Sequence, residues 1–429
     1  MKVYFIGIGG IGVSALAQYY LEKGHEVYGF DLVSSEITDY LERKGVKFTE
    51  KLPPETDLII YTSAVKQSSL FLKKAISRGT KIKSYPEALG ELTKRHFTIA
   101  VSGTHGKSTT SSMIGLILEK AGLDPTVIIG TKLKEFGNTN FRIGKGKYLV
   151  IEADEWDKSF LNYWPQIIVL TNIEKEHLDT YKNLKDIIET YQKYVLHLGA
   201  DGVLIANKDD KNILKIIAGR QTDENQSLRT KSYSFKQQEA KKLKKILKIP
   251  GEHNIYNALA ALAAAREVGV PDSISFEVLS NYKGSWRRFE EKKANFGSKK
   301  FTLVSDYGHH PTEIRATLKA VREKFKNKKI WCVFQPHQYQ RTYYLFDDFV
   351  KVFSENPIDN IIITNIYDVV GRENRGLKKK ISSKKLVKKI KKDNVIYLQK
   401  EKIISYLKSN LEKGDVLIIM GAGDIYNIL

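Results

Sequence analysis

Phe97-Thr98-Ile99-Ala100-Val101-Ser102-Gly103-Thr104-His105-Gly106-Lys107-Ser108-Thr109 is the stretch whose reading decides the fold. An apolar strand runs into a glycine turn, and the turn opens a helix expected over about 107–121. Backbone N–H groups in such a loop cradle phosphate oxygens. The lysine supplies charge toward the β- and γ-phosphates, and the next hydroxyl can ligate Mg²⁺. Gly103, Thr104, His105, Gly106, Lys107, Ser108 and Thr109 are therefore the candidate ATP-binding loop. It is the short form G-x-x-G-K-S/T, with Val101 where the long form has glycine.

A second glycine loop lies at the start of the chain. Gly7-Ile8-Gly9-Gly10-Ile11-Gly12 follows the expected strand Lys2–Ile8, and Asp31 stands 19 residues beyond Gly12. What this fingerprint selects physically is a diphosphate at a helix N-terminus. An NAD-dependent oxidoreductase with Asp31 on the ribose fits it, and so does any enzyme that binds a nucleoside diphosphate. Two phosphate loops on one chain weaken the oxidoreductase reading, because hydride transfer has no use for Lys107.

Strand-then-helix patterns recur along all 429 residues, the signature of α/β domains on mainly parallel sheets. Strands are expected at Glu26–Asp31, Leu58–Thr62, Tyr148–Ala153, Ile167–Thr171 and Gly202–Ala206. A later set covers Phe301–Ser305, Ile330–Phe334, Asn360–Thr364, Val395–Leu398 and Val416–Met420. The alanine-rich segment Asn254–Val268 reads as a closely packing helix. Gln237–Lys248, rich in Lys and Gln, reads as an exposed connection. The division that results is 1–96, 97–285 and 286–429.

Composition narrows the class. A hydrophobic content of 42% with 10 prolines marks a globular chain, and one cysteine, Cys332, leaves no intramolecular disulfide and fits a reducing cytoplasm. No apolar run reaches the length of a membrane span, and the N-terminus reads as a strand, not a signal peptide. The balance of 70 Lys+Arg against 49 Asp+Glu gives +21, which would suit an anionic partner. The densest cluster, Lys378–Lys392 with nine lysines, also carries Leu386, Val387 and Ile390 on one helical face. Those lysines are expected to coat a packed helix, and no nucleic-acid motif accompanies them.

Acidic and imidazole groups fall at strand ends. Glu152 closes one strand, and His177 follows another within Asn172-Ile173-Glu174-Lys175-Glu176-His177. With the Ser108 hydroxyl they are the candidate Mg²⁺ ligands.

Taken in order, Gly103–Thr109, Glu152–Phe160 (EADEWDKSF), Thr171–Asp179 (TNIEKEHLD) and Gly251–Ala258 (GEHNIYNA) resemble the Mur ligases. Arg287-Arg288-Phe289 and Asp306-Tyr307-Gly308-His309-His310-Pro311-Thr312-Glu313 extend the likeness over nearly the whole chain. The Gly7–Gly12 loop, the His-His-Pro-Thr-Glu segment and Phe334–Thr342 (FQPHQYQRT) point to the branch that joins L-alanine to UDP-N-acetylmuramate in peptidoglycan precursor synthesis.

The resemblance implies three domains: an N-terminal Rossmann-like UDP-binding domain, a central P-loop ATPase-type domain and a C-terminal Rossmann-like domain. It implies that Gly7, Gly9, Gly10 and Gly12, with Asp31, serve the UDP-sugar. Lys107 would contact ATP, with Ser108, Glu152 and His177 organising Mg²⁺. Asn254 and Asn257 would hold adenine, and Arg288 and Asp306 would also reach ATP. Tyr307, His337 and Arg341 would meet the amino acid, with Lys107, His177 and Arg341 the catalytic set.

The partners implied are small molecules, with no nucleic acid and no membrane, for a cytoplasmic monomer or homodimer. A recycling ligase that attaches a preformed peptide to the same sugar nucleotide is the near alternative; Phe334–Thr342 and the short chain argue against it. The chain departs from the family pattern at Ser305, where aspartate is common, and at Gln338, where arginine is common. Relatives also usually carry more β structure before Gly251.

Overall fold

The computed structural model describes residues 1–65, 70–77, 79–218, 229–369 and 375–429. Three sheets follow one another along the chain. The first contains β1 (Lys2–Ile6), β2 (Glu26–Phe30), β3 (Lys47–Phe48), β4 (Leu58–Tyr61) and β5 (Lys81–Ser84). They lie in the order β3-β2-β1-β4-β5 and every pairing is parallel. The order reverses beside β1, so the loop after β1 opens at a topological switch point, where open α/β sheets gather ligands.

The second sheet is built from β6 (Phe97–Ser102), β7 (Thr126–Leu133), β8 (Thr139–Arg142) and β9 (Tyr148–Glu152). It is completed by β10 (Ile167–Leu170), β11 (Val203–Asn207) and β12 (Arg229–Tyr233). Its order is β12-β11-β10-β6-β9-β7-β8. The central strands are buried along their length, as expected of a parallel sheet covered on both faces. Register aligns Ser102 with Leu170 and Val101 with Glu152, so three neighbouring strands end together.

The third sheet contains β13 (Glu290–Phe296), β14 (Lys299–Asp306), β15 (Ile330–Phe334), β16 (Asn360–Ile363), β17 (Val395–Tyr397) and β18 (Val416–Met420). It runs β13-β14-β18-β15-β16-β17, with β13 antiparallel on the edge. Asp306, Met420 and Phe334 are level across it.

Contacts divide the chain into two compact units. The first is Met1–Glu174, Leu184–Ile246 and Tyr256–Asn281; the second is Lys175–Asn183, Leu247–Ile255 and Tyr282–Leu429. The expected strands are present within a residue or two of their anticipated ends. Gln237–Lys248 is different: Gln238–Ile246 is a helix that buries Ala240 and Leu243. Two apolar residues three apart supply the inward face, while the lysines keep their charge in water. The helix Ser383–Ile390 obeys the same logic, with Leu386 and Ile390 in the core. Among the described residues, no helix is long and apolar enough to cross a membrane.

Candidate functional site

The phosphate loop is set by the strand ends around it. Gly106 caps the helix Lys107–Lys120 in the left-handed region, at φ +84°, and Gly103 stands at φ +130°. A Cβ at Gly103 would collide with Thr171 Oγ1, and one at Gly106 would collide with Asn257 Oδ1. Only glycine fits there. The segment after β10 moulds the loop: Thr104 N donates to Asn172 O (2.9 Å), His105 N to Asn172 Oδ1 (2.9 Å), and Thr171 Oγ1 to His105 O (2.6 Å).

Lys107 reaches back across this loop. Its Nζ donates to Gly103 O (2.6 Å) and to Glu155 Oε2 (2.8 Å), with Asp154 Oδ1 at 3.7 Å. Burial by itself would lower its pKa, but the carboxylates of Glu155, Asp154 and Glu152 outweigh that and raise it. The ammonium therefore stays charged. Ser108 Oγ donates to Glu152 Oε2 (2.9 Å), and Gly130 N on β7 donates to the other carboxylate oxygen. A hydroxyl and a carboxylate in contact at a strand end are hard oxygen donors that fit Mg²⁺.

The N-terminal loop belongs to the same unit. Gly7 has φ +74°, and its Cβ position is filled by Thr62. Asp31 Oδ2 accepts from Gly9 N (2.8 Å) and Asp31 Oδ1 from Val33 N (3.2 Å), so this carboxylate shapes the loop. A side chain at Gly12 would strike the Tyr85 ring. Asn257 backs the phosphate loop, accepting from Thr110 Oγ1 (3.3 Å).

The remaining candidates lie in the second unit. Arg341 is 7% exposed; its Nε donates to both carboxylate oxygens of Glu176 (3.0 and 3.2 Å), and Nη1 meets His337 Nδ1 (3.1 Å) and donates to His337 O (3.0 Å). Burial would raise the Glu176 pKa, but Arg341 beside it, helped by His177, His310 and His309, holds it well below the usual range. His177 adopts φ +53°, and its backbone N donates to Glu176 Oε1 (3.0 Å). A small cavity of about 10 Å³ is lined by Glu176, His177, Gln338, Arg341 and Tyr344. Gln338 sits at φ +72°.

Asp306 is turned inward. Its oxygens accept from Phe289 N (3.0 Å), Gly308 N (2.9 Å) and Thr317 Oγ1 (3.2 Å), and burial raises its pKa. The Arg287 and Arg288 guanidiniums each approach the Tyr307 ring, 4.9 and 4.8 Å from its centroid. Asn254 Nδ2 donates to Pro250 O (2.6 Å). His310 and Glu313 form a capping box on the helix Pro311–Lys324, which gives His-His-Pro-Thr-Glu a structural task.

Sequence reasoning singled out neither Glu155 nor Glu176, although both lie inside quoted motifs. Nothing local distinguishes a carboxylate that faces a buried cation from a solvated one.

Residues 2–97 match the family described as Mur ligase family, catalytic domain. Residues 101–265 match the Mur ligase middle domain, and 287–423 the Mur ligase glutamate ligase domain. The chain belongs to the Mur ligase family. Among curated relatives, the UDP-N-acetylmuramate–L-alanine ligase of Acetivibrio thermocellus is 40% identical, covering 99% of this chain and 94% of that protein. The one from Caldanaerobacter subterraneus subsp. tengcongensis is 37% identical over 100% and 96%. The crystal structure of UDP-N-acetylmuramate-alanine ligase from Thermotoga maritima matches with a TM-score of 0.78 at 25% identity, covering 100% and 97%. A murein peptide ligase from Psychrobacter arcticus shares the fold at a TM-score of 0.72 and 22% identity. The family is one of ligases, so the oxidoreductase reading of the N-terminal glycine fingerprint falls.

Proposed function

We propose that this Mur ligase joins L-alanine to the carboxylate of UDP-N-acetylmuramate, with ATP converted to ADP and phosphate, as a cytoplasmic step of peptidoglycan precursor synthesis. The observation that carries the reading is the Lys107–Ser108–Glu152 constellation at the ends of β6 and β9, in a chain whose full-length relatives bear that activity's name.

A carboxylate is a poor acyl donor. One of its oxygens attacks the γ-phosphorus of ATP, the bond to the ADP oxygen breaks, and an acyl phosphate forms. The alanine nitrogen then attacks the acyl carbon, the carbon–oxygen bond to phosphate breaks, and the nitrogen gives up a proton. Lys107, kept charged by its carboxylate neighbours, offsets charge on the transferring phosphoryl group. Backbone N–H groups of Lys107–Thr109, in the first turn of the helix, orient the phosphates. Ser108 and Glu152 would hold Mg²⁺, which supplies charge neutralisation on the phosphates; His177 keeps the metal role that the family implies.

Gly7, Gly9, Gly10 and Gly12 seat the UDP diphosphate, with Asp31 fixing the loop. Asn257 and Asn254 serve the adenine side, and Arg288 serves ATP. Asp306 supports Arg288 and Tyr307 by holding the backbone N–H groups of Phe289 and Gly308 that follow them. Tyr307, His337 and Arg341 are the amino-acid contacts.

Phosphate release measured with ATP, Mg²⁺, UDP-N-acetylmuramate and L-alanine tests this. Release must depend on both the sugar nucleotide and the amino acid; turnover with a tripeptide but not alanine would assign the recycling reaction instead. Lys107→Ala is expected to lower kcat by about a thousandfold or more, and retained turnover would remove this account of the phosphoryl step.

A further inference from the structure

Behind the N-terminal glycine loop lies a buried polar network whose members come from two different sheets' territories. The helix Ile11–Glu22, which the loop opens, contributes Ser14 and Gln18; strand β8 of the second sheet contributes Thr139 and Asn140. All four are at most 8% exposed. Asn140 Nδ2 donates to the carbonyl of Ile11, inside the loop itself, and to Ser14 Oγ (3.1 Å). Its Oδ1 accepts from Gln18 Nε2 (3.0 Å), which also donates to Ser14 O (3.2 Å). Thr139 Oγ1 donates to Gln18 Oε1 (2.9 Å), and Ser14 Oγ to Ile11 O (2.9 Å).

Both amide groups are thereby fully engaged, away from water. Such a network fixes geometry, because shifting any member strands a buried donor or acceptor. Of its links, only those from Asn140 Nδ2 tie the first turn of the loop's helix to the second sheet. Thr139 touches the network at Gln18 (2.9 Å), nearly two turns further along that helix, and at Asn140 Oδ1 (3.4 Å), not at Nδ2.

We propose that Asn140 is a positioning residue for the sugar nucleotide: it sets, from the second sheet, where the N–H groups of Ile11 and Gly12 in the first turn of the helix point. This rests on the reading of Gly7–Gly12 as the UDP diphosphate site. Helix N-terminal N–H groups bind phosphate only when aimed at it, so freeing the first turn weakens diphosphate binding without touching the ATP loop.

Titration calorimetry of the full chain with UDP, together with steady-state phosphate release, tests it. Asn140→Ala is expected to raise the UDP Kd and the KM for UDP-N-acetylmuramate about tenfold, with the KM for ATP within about twofold of wild type. Thr139→Val removes the hydroxyl that meets Gln18 Oε1 and Asn140 Oδ1 but keeps both Asn140 Nδ2 links, and is expected to leave UDP affinity within about twofold. The proposal is overturned if Asn140→Ala binds UDP like wild type while melting lower, or if Thr139→Val weakens UDP equally. Should Asn140→Ala fail to fold, Ser14→Ala removes one acceptor of the same amide; a several-fold weaker UDP Kd supports the proposal and an unchanged one overturns it. Wild-type protein that does not bind UDP at all would instead remove the assignment of the glycine loop, and this inference with it.

Discussion

The Glu176–Arg341 pair is nine-tenths buried on both sides, and its two Nε contacts make it a specific contact in a dry place. Removing one charge from such a pair strands the other. Glu176→Gln is therefore expected to destabilise the second unit by about 3 kcal/mol in chemical denaturation at neutral pH. A loss below about 1 kcal/mol would mean that the carboxylate is solvated. His309, with its ring centroid 5.8 Å from that of His337, makes a pH prediction. Burial first, and then Arg341, push its pKa down to about 3 from an ordinary 6.5. Between those values the unfolded chain binds a proton that the folded chain refuses, so stability rises with pH across that window. The contribution is complete above 6.5 and is lost as pH falls toward 3. His309→Gln should flatten the decline in melting temperature from pH 6.5 to 5; an unchanged slope would show that the ring is reached by water.

Elements are placed by what their ends must do. The helix Lys107–Lys120 begins at a glycine with φ +84° pressed against Asn257, so Gly106→Ala meets both a left-handed backbone and a collision. The expected cost is about 1–2 kcal/mol in stability, with a several-fold rise in the KM for ATP as the loop shifts. Kinetics at saturating sugar nucleotide would read it directly, and an unaltered KM would mean that the loop tolerates the extra carbon. Most strands and this helix were legible, because apolar runs bounded by glycine are local signals. The helix Gln238–Ile246 was not, since its inward face consists of only Ala240 and Leu243 among lysines. The hairpin β7–β8 escaped too: its partners, Ile128 opposite Phe141 and Val127 opposite Arg142, are set by an irregular register that no local pattern announces.

At the scale of the molecule, two contact units predict unfolding that is not two-state. Both glycine loops lie in the first unit. UDP alone should raise the transition of that unit and leave the other in place in differential scanning calorimetry; a single transition shifted as a whole would show the units to be one cooperative body. The sequence by itself determined the α/β class, the two glycine loops and the family, because each depends on glycine, lysine and apolar spacing over a dozen residues, where local sterics decide. Only the tertiary structure decided that Asp31 spends its oxygens on backbone N–H groups and Asp306 on two backbone N–H groups and the Thr317 hydroxyl, that Glu155 faces Lys107, and that Asn140 grips the first turn of a helix more than a hundred residues away. A polar side chain's role depends on which distant atom it is buried against, and spacing along the chain carries no record of that.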